Sequence, residues 1–239
     1  MQKILFFIFL LQILAFPKAI LTQKNDDQFI VLDIHVKVSQ LVETEAIQLN
    51  SNITHYDPNN DIDLKNVALP HCTLYLTSFY VNDLDNIKQG VSEAIKAIKP
   101  CLDLRMGKVS ATGTYGMWEM EKPDCLQQMS DLIVTNTKQF IQPNQPIPAW
   151  VKNLPEPIRD LKIKMIQEYG SPNVFSQFAP HVTIGYDNST TTNFDKIVNS
   201  LRPKPISYET KEIGIGISSK HGTVLRGKDL ADYFIQPPQ

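Results

Sequence analysis

The chain has 239 residues, with 23 Lys and Arg against 25 Asp and Glu, and a formal net charge of −2 at pH 7. That balance argues against a broad basic groove for long nucleic acid, while leaving room for nucleotides and short oligonucleotides. The length suits one large domain, or two small lobes with real cores, once a leader is removed.

The leader is expected over residues 1–19. Lys3 gives a basic start, and residues 4–16 are apolar apart from Gln12. A run of that length is shorter than the roughly 20 residues of a membrane-spanning helix and matches a signal-peptide core. The expectation is a secreted or lumenal protein with no stable membrane anchor. Cleavage is open between sites near Ala15 and Ala19. Losing Lys3 and Lys18 takes 23 basic side chains to 21 against 25 acidic ones. The absence of Arg and of an amphipathic pattern speaks against a mitochondrial address. In a secretory setting, Asn52-Ile53-Thr54 and Asn188-Ser189-Thr190 have the form of glycosylation acceptors. Three cysteines, Cys72, Cys101 and Cys125, leave one odd thiol. Cys72 is expected buried and free on a strand, with Cys101 and Cys125 as the pair.

Downstream, residues 29–38 alternate apolar and polar side chains from Asp33 onward, which predicts a half-buried strand. His35 falls on its polar face and is expected to be solvated. Residues 39–49 suit a short helix, and the Asn- and Asp-rich stretch 50–66 reads as a loop. A strand over 67–78 follows, then a helix with Leu84, Ile87, Val91, Ile95 and Ile98 on one stripe, ended by Pro100. Residues 102–111 and 114–120 read as paired strands. Tyr115 and Trp118 there could stack on a base, although core packing is the plainer role. A helix over 124–141 leads into a proline-punctuated crossover and a third helix over 156–169. A strand over 178–186, a short helix over 194–201, a long strand over 206–217 and a final strand over 223–226 complete the order. Residues 236–239 read as a tail.

Two of these strands carry the same signature. Pro70-His71-Cys72-Thr73-Leu74 and Pro180-His181-Val182-Thr183-Ile184 both read Pro-His-x-Thr-aliphatic, with their histidines 110 positions apart. Residues i and i+2 of a strand share a face, so each His and its Thr project together. A lone His-x-Thr is a weak signal, since His221-Gly222-Thr223 also matches. That third copy sits in a turn-forming stretch and lacks the preceding Pro. A histidine in an isolated apolar strand is more often structural than catalytic; it is the repeated context that points to chemistry.

The paired motifs resemble those of the 2H phosphoesterase family, which carries two H-x-[ST]-hydrophobic motifs in two related lobes. The resemblance extends over about residues 29–227, and the second motif is the closer match. It implies an α+β, bilobal fold, with two pseudo-symmetric β-sheet lobes, outer helices and a central cleft. The recurrence of strand, helix, strand, strand in the two halves agrees with it. On this reading residues 28–235 form a single bilobal domain, with lobe one at about 28–122, a crossover at about 123–172 and lobe two at about 173–235. The resemblance places His71 and His181 in the catalytic positions and Thr73 and Thr183 in the substrate-binding ones.

Those residue types fit the chemistry. An imidazole near its ordinary pKa serves as base or acid at neutral pH, and two of them flanking a phosphorus suit in-line displacement. A Thr hydroxyl can donate to a non-bridging oxygen. Two histidines without an acidic or Cys cluster are a thin zinc site, so no metal or other cofactor is expected. The expected partner is a nucleotide or short RNA with a terminal phosphate, acted on by a monomer. The reaction is hydrolysis at 2′,3′-cyclic phosphate ends or of short RNA, with ligation as its reverse. The alternative is a phosphate- or nucleotide-binding protein of the same fold without turnover, or a scaffold. Terminal sequencing of the native protein should find roughly the first 15 to 20 residues gone; an intact Met1 in a cytosolic fraction would contradict the leader.

Overall fold

Apolar alternation builds the first strand, β1 (Phe29–Lys37): Leu32, Ile34 and Val36 are all fully buried. Ser39 caps the helix after it, α1 (Gln40–Tyr56), accepting a hydrogen bond from the Val42 amide at 3.4 Å. Helix α1 buries Val42, Ala46, Leu49 and Ile53, the spacing of one helical face. It runs past residue 49 because Asn50 has a buried role. The Asn50 amide nitrogen donates to the Ile62 and Ile184 carbonyls at 2.8 and 2.9 Å, and its oxygen accepts from the Leu64 amide at 3.2 Å.

The order continues β2 (Ala68–Leu69), β3 (His71–Tyr80), α2 (Leu84–Ile95), β4 (Leu104–Thr112), β5 (Tyr115–Met120), α3 (Asp124–Thr137), α4 (Ala149–Lys152) and α5 (Ile158–Tyr169). It closes with β6 (His181–Tyr186), α6 (Phe194–Ser200), β7 (Ser207–Tyr208), β8 (Glu212–Ser218) and β9 (Val224–Phe234). Gly170 ends α5 in the left-handed region at φ 68°, where Thr77 and Gln145 leave no room for a Cβ. This computed structural model describes residues 28–189 and 193–236. The expected leader, Thr190 of the second acceptor sequence and residues 237–239 of the expected tail lie outside the described residues. Among the described residues, no helix is long and apolar enough to cross a membrane.

The strands form two antiparallel sheets, ordered β2-β9-β8-β1-β3 and β6-β5-β4-β7. The architecture is α+β and bilobal, with six helices among the described residues. The sheets do not follow the division of the chain at residues 122 and 173. Strands β4 and β5 join β6 in the second sheet, and β8 and β9 join β1 and β3 in the first. The expected strand over 206–217 is accordingly split. Its start, β7, pairs with β4, and its remainder, β8, pairs with β1. The chain changes sheets at Thr210, which is fully buried; its hydroxyl accepts from the Cys101 amide at 2.7 Å and its amide donates to the Cys101 carbonyl at 2.9 Å. Strand β9 runs well beyond residue 226, because pairing with β8 holds a segment too polar to read as a strand.

Cys101 is bonded to Cys125, 24 positions along the chain, with Cα atoms 5.7 Å apart, while Cys72 is free and buried. Burial pushes the Cys72 thiol up to about 12. Replacing Cys101 and Cys125 with Ser should lower stability by about 3 kcal/mol, the cost of releasing a loop of this length in the unfolded chain, read from urea melts. Cys72 should resist alkylation until the protein unfolds.

Candidate active site

Both motif strands begin at their histidine, and both are edge strands. Strand β3 ends the first sheet, β6 ends the second, and the two pack against each other at the seam. The prolines now have a structural meaning. Each histidine's Nδ1 lies within hydrogen-bond distance of the carbonyl two residues back, across the proline: Leu69 at 2.6 Å for His71 and Ala179 at 2.8 Å for His181. A carbonyl only accepts, so each ring donates its Nδ1–H there. The tautomer is thereby fixed, and Nε2 is left for chemistry. The rings are close enough that the charge of His71 helps depress the pKa of His181.

The two motifs differ in what surrounds them. His71 is 4% exposed, and its Nε2 lies 3.3 Å from Asp33 Oδ2 on β1. Thr73 donates its hydroxyl to that same oxygen at 2.7 Å. Burial, the largest influence, pulls the His71 pKa down, but the charge and hydrogen bond of Asp33, the Leu69 carbonyl and the Asp229 charge together outweigh it, and the net shift is upward. His181 is half-buried, and burial takes its pKa down, with the Ala179 carbonyl as a partial offset. Thr183 is half-buried on β6, paired through its backbone with Met117, and its hydroxyl makes no hydrogen bond among the described residues.

His35, expected in solvent, is fully buried directly behind His71, with ring centroids 5.1 Å apart. Its Nδ1–H donates to the Asp33 carbonyl at 3.1 Å. Room for it comes from β8: a Cβ at Gly214 would lie 2.7 Å from His35 Nε2. Burial, reinforced by the charge of His71, lowers its pKa from 6.5 to about 4, so the ring is neutral. Beyond it, Lys37 reaches Glu212 at 3.0 Å and Asp232 at 2.7 Å. Asp33 and His35 escaped the sequence reading because β1 looked half-exposed. The usable signal was that β1 carries acid and imidazole at i and i+2, facing whatever strand pairs with it.

The remaining sequence candidates lie elsewhere. Trp118 is fully buried and donates its indole N–H to the Gly107 carbonyl at 3.1 Å, a core role. Tyr115 is half-buried, 4.8 Å from the Tyr186 ring, and Tyr186 in turn lies 4.1 Å from the His221 ring. The third His-x-Thr belongs to a separate constellation, in which Asp61 Oδ2 holds His221 Nε2 at 2.8 Å and Lys220 Nζ at 2.6 Å. Asp61, Lys220 and His221 stand between two cavities of about 780 and 530 Å³, lined by none of the four motif residues. Among the described residues, no group of three His, Cys, Asp or Glu is arranged to hold a metal ion.

Two antiparallel sheets meet at edge strands that each begin at a motif histidine, an α+β bilobal arrangement shared with solved structures. No family model matches the sequence, and no curated protein matches it. Solved structures match in fold. Escherichia coli LigT, crystallised with 3′-AMP, aligns with a TM-score of 0.52 at 14% identity, over 87% of this chain and 99% of LigT. TT0787 of Thermus thermophilus aligns with a TM-score of 0.53 at 11% identity, over 88% of this chain and 100% of its own. At these identities the likeness is one of fold.

The buried imidazole gives a pH signature. His35 has a lower pKa folded than unfolded, so its contribution is fully present above 6.5 and is lost as pH falls toward about 4. That amounts to about 3 kcal/mol, on the scale of 1.36 kcal/mol per unit. His181 acts in the same direction. His71 acts in the opposite one, stabilising below its unfolded pKa and losing that contribution above its folded one. Urea melts from pH 7 to pH 4 should show stability falling across this window. The His35→Gln variant, uncharged throughout, should flatten it.

Proposed function

We propose that this protein is a phosphodiesterase of the 2H type that works without a metal, on 2′,3′-cyclic phosphate ends or short oligonucleotides. The observation that carries the reading is the matched anchoring of the two motif imidazoles. Each donates Nδ1–H to the carbonyl across its proline, and each opens an edge strand at one seam. Two rings held alike, with Nε2 uncommitted to the backbone, are what a paired acid and base require. The fold shared with LigT supports the reading. That LigT takes 3′-AMP favours a nucleotide-sized substrate, in keeping with a chain that carries no excess of basic residues.

In the reaction, one Nε2 takes a proton from water as its oxygen attacks phosphorus. The bond to one ribose oxygen breaks, and the other Nε2 gives that oxygen a proton. One water is consumed, the diester becomes a monoester, and the histidines exchange their protons with solvent afterwards. In this reading Thr183 donates to a non-bridging oxygen. We assign the protein to the secretory lumen or the cell exterior. The Cys101–Cys125 bond supports this, because such bonds persist in oxidising compartments, and Asn52 on α1 would be an acceptor there.

The test is a panel of nucleoside 2′,3′-cyclic phosphates, 2′-5′ and 3′-5′ oligoadenylates and end-defined RNA, assayed with and without EDTA. Turnover should survive the chelator. His71→Ala and His181→Ala should each cost about 10² to 10⁴ in turnover. The double variant should be little worse than either, since groups acting as a unit are non-additive. Thr183→Val should cost less, and His221→Ala should be neutral. If neither motif histidine matters on any substrate, the binding-protein reading replaces this one.

A further inference from the structure

We infer that Tyr115 and Tyr186 form a remote base-stacking subsite, reached along β5 and β6 from the seam, so that the preferred substrate is a chain of several nucleotides rather than a single one. The inference deepens the phosphodiesterase reading above and rests on it.

Strand pairing places the two rings. In β5, Glu119, Met117 and Tyr115 follow one another at i, i+2 spacing and so project from one face. Their partners on β6 are His181, Thr183 and Tyr186. The register shifts between Met117 and Gly116, where Ile184 is an extra residue on β6 with no partner on β5. Without that extra residue, alternation along β6 would turn Tyr186 to the opposite face. With it, the Tyr115 and Tyr186 rings meet with centroids 4.8 Å apart at 65°. The opposite face is the core side. Trp118 and Val182 are buried there, and a Cβ at Gly116 or Gly185 would lie 3.4 or 3.3 Å from the Phe194 ring of α6. Glu119, Met117, Tyr115, His181, Thr183 and Tyr186 are all half-buried. One face of β5 and β6 is therefore a continuous strip from the second motif imidazole to an aromatic pair.

The length of the strip sets what it can bind. Tyr186 stands five positions beyond His181, roughly 15 Å at the rise of an extended strand less the bulge. A nucleotide with its terminal phosphate at His181 does not carry its own base that far. A base further along the same chain does reach. Aromatic faces accept any base, so the strip suits a short single strand without demanding a sequence.

The far end of the strip is braced. The Tyr186 ring lies against the His221 ring, with centroids 4.1 Å apart at 32°. Asp61 in turn holds His221 Nε2 at 2.8 Å. The Tyr186 backbone is fixed as well, since its amide donates to Asn60 Oδ1 at 2.9 Å and its carbonyl accepts from the Asp61 amide at 2.9 Å. A ring held this way loses little freedom when a base stacks on it. Beyond it opens the cavity of about 530 Å³, lined by Tyr186, His221 and the exposed side-chain amide of Asn59 among others. Such an amide can pair with a base edge.

Charge agrees with stacking as the source of affinity. Glu119 accepts from Ser110 at 2.6 Å and has Lys108 Nζ at 3.8 Å. Lys220 Nζ lies 2.6 Å from Asp61. The lysines beside the strip are thus matched to acids, in a chain with no excess of basic residues.

The experiment titrates the full chain with adenosine 3′-monophosphate, and with oligoadenylates of two, three and four nucleotides that carry the same 3′-phosphate. Affinity is read by calorimetry, and the imidazole resonances of His71, His181 and His221 by NMR. Affinity should rise about tenfold or more once the chain is long enough to reach Tyr186, the scale of one stacked base, and then level off. An oligomer of equal length with abasic sites in place of its far bases should fall back to the affinity of the mononucleotide. His221, lying against Tyr186, should shift with the longer oligomers and not with the mononucleotide. Tyr115→Leu and Tyr186→Leu should each reduce the gain with length, and the double variant should abolish it.

Affinity that does not grow with length overturns the subsite. So does a gain that survives abasic substitution, or that persists in the folded double variant. If the variants fail to fold, the abasic series and the His221 shift in the natural protein decide. Failure of the phosphodiesterase reading is distinguishable: the mononucleotide then leaves His71 and His181 unmoved, and both single Ala variants of the motif histidines keep full turnover, whatever the length series shows.

Discussion

Everything at the candidate site depends on two edge strands meeting. An edge strand ordinarily presents unpaired backbone groups to solvent, and proteins cover or blunt it. Here β3 and β6 cover each other. The seam places two imidazoles, from motifs far apart in sequence, within reach of each other's charge. Other features of the fold secure that meeting. Asn50 ties helix α1 both to the loop before β2 and to the backbone of β6. Thr210 fixes the point where the chain passes from one sheet to the other. The Tyr75 hydroxyl donates to the Tyr169 carbonyl at 2.5 Å, which docks the crossover onto β3.

The seam is symmetric in backbone and asymmetric in charge. Both rings are anchored through Nδ1 across a proline. The first ring is then embedded beside Asp33 and His35, whereas the second lies beside Met117 and Glu119 and is more open. A buried carboxylate beside a motif proposed to meet a phosphate is costly unless something gains from it. The gain available here is a ring whose pKa is shifted upward. Duplicated motifs thus arrive at unequal surroundings through the strands beside them.

Much of this was legible in the sequence, because strand periodicity and motif context are local. The His and Thr of each motif share a face, as their spacing required, and the helical stripe of α2 buries Ile87 and Val91 as expected. What was not legible is non-local. The exchange of β4–β5 and β8–β9 between sheets cannot be read from element order, since strand, helix, strand, strand recurs whichever sheet each strand joins. The end of α1 was hidden because Asn50 reads as a breaker until its three partners, two of them carbonyls, are known. His35 looked solvated because the glycines that make room for it, Gly214 among them, lie on a strand near the other end of the chain. Asp33 was hidden for the same reason: a polar residue on an alternating strand reads as exposed until its pairing partner is identified.

The central claim is that His71 and His181 serve one phosphate at the seam. It is tested most directly by titrating the natural protein with adenosine 3′-monophosphate and following the imidazole resonances of His71, His181 and His221 by NMR. The account predicts that His71 and His181 shift together with one dissociation constant while His221 stays still. A shift confined to His221, beside the Asp61 cavities, or to only one motif histidine, would contradict it.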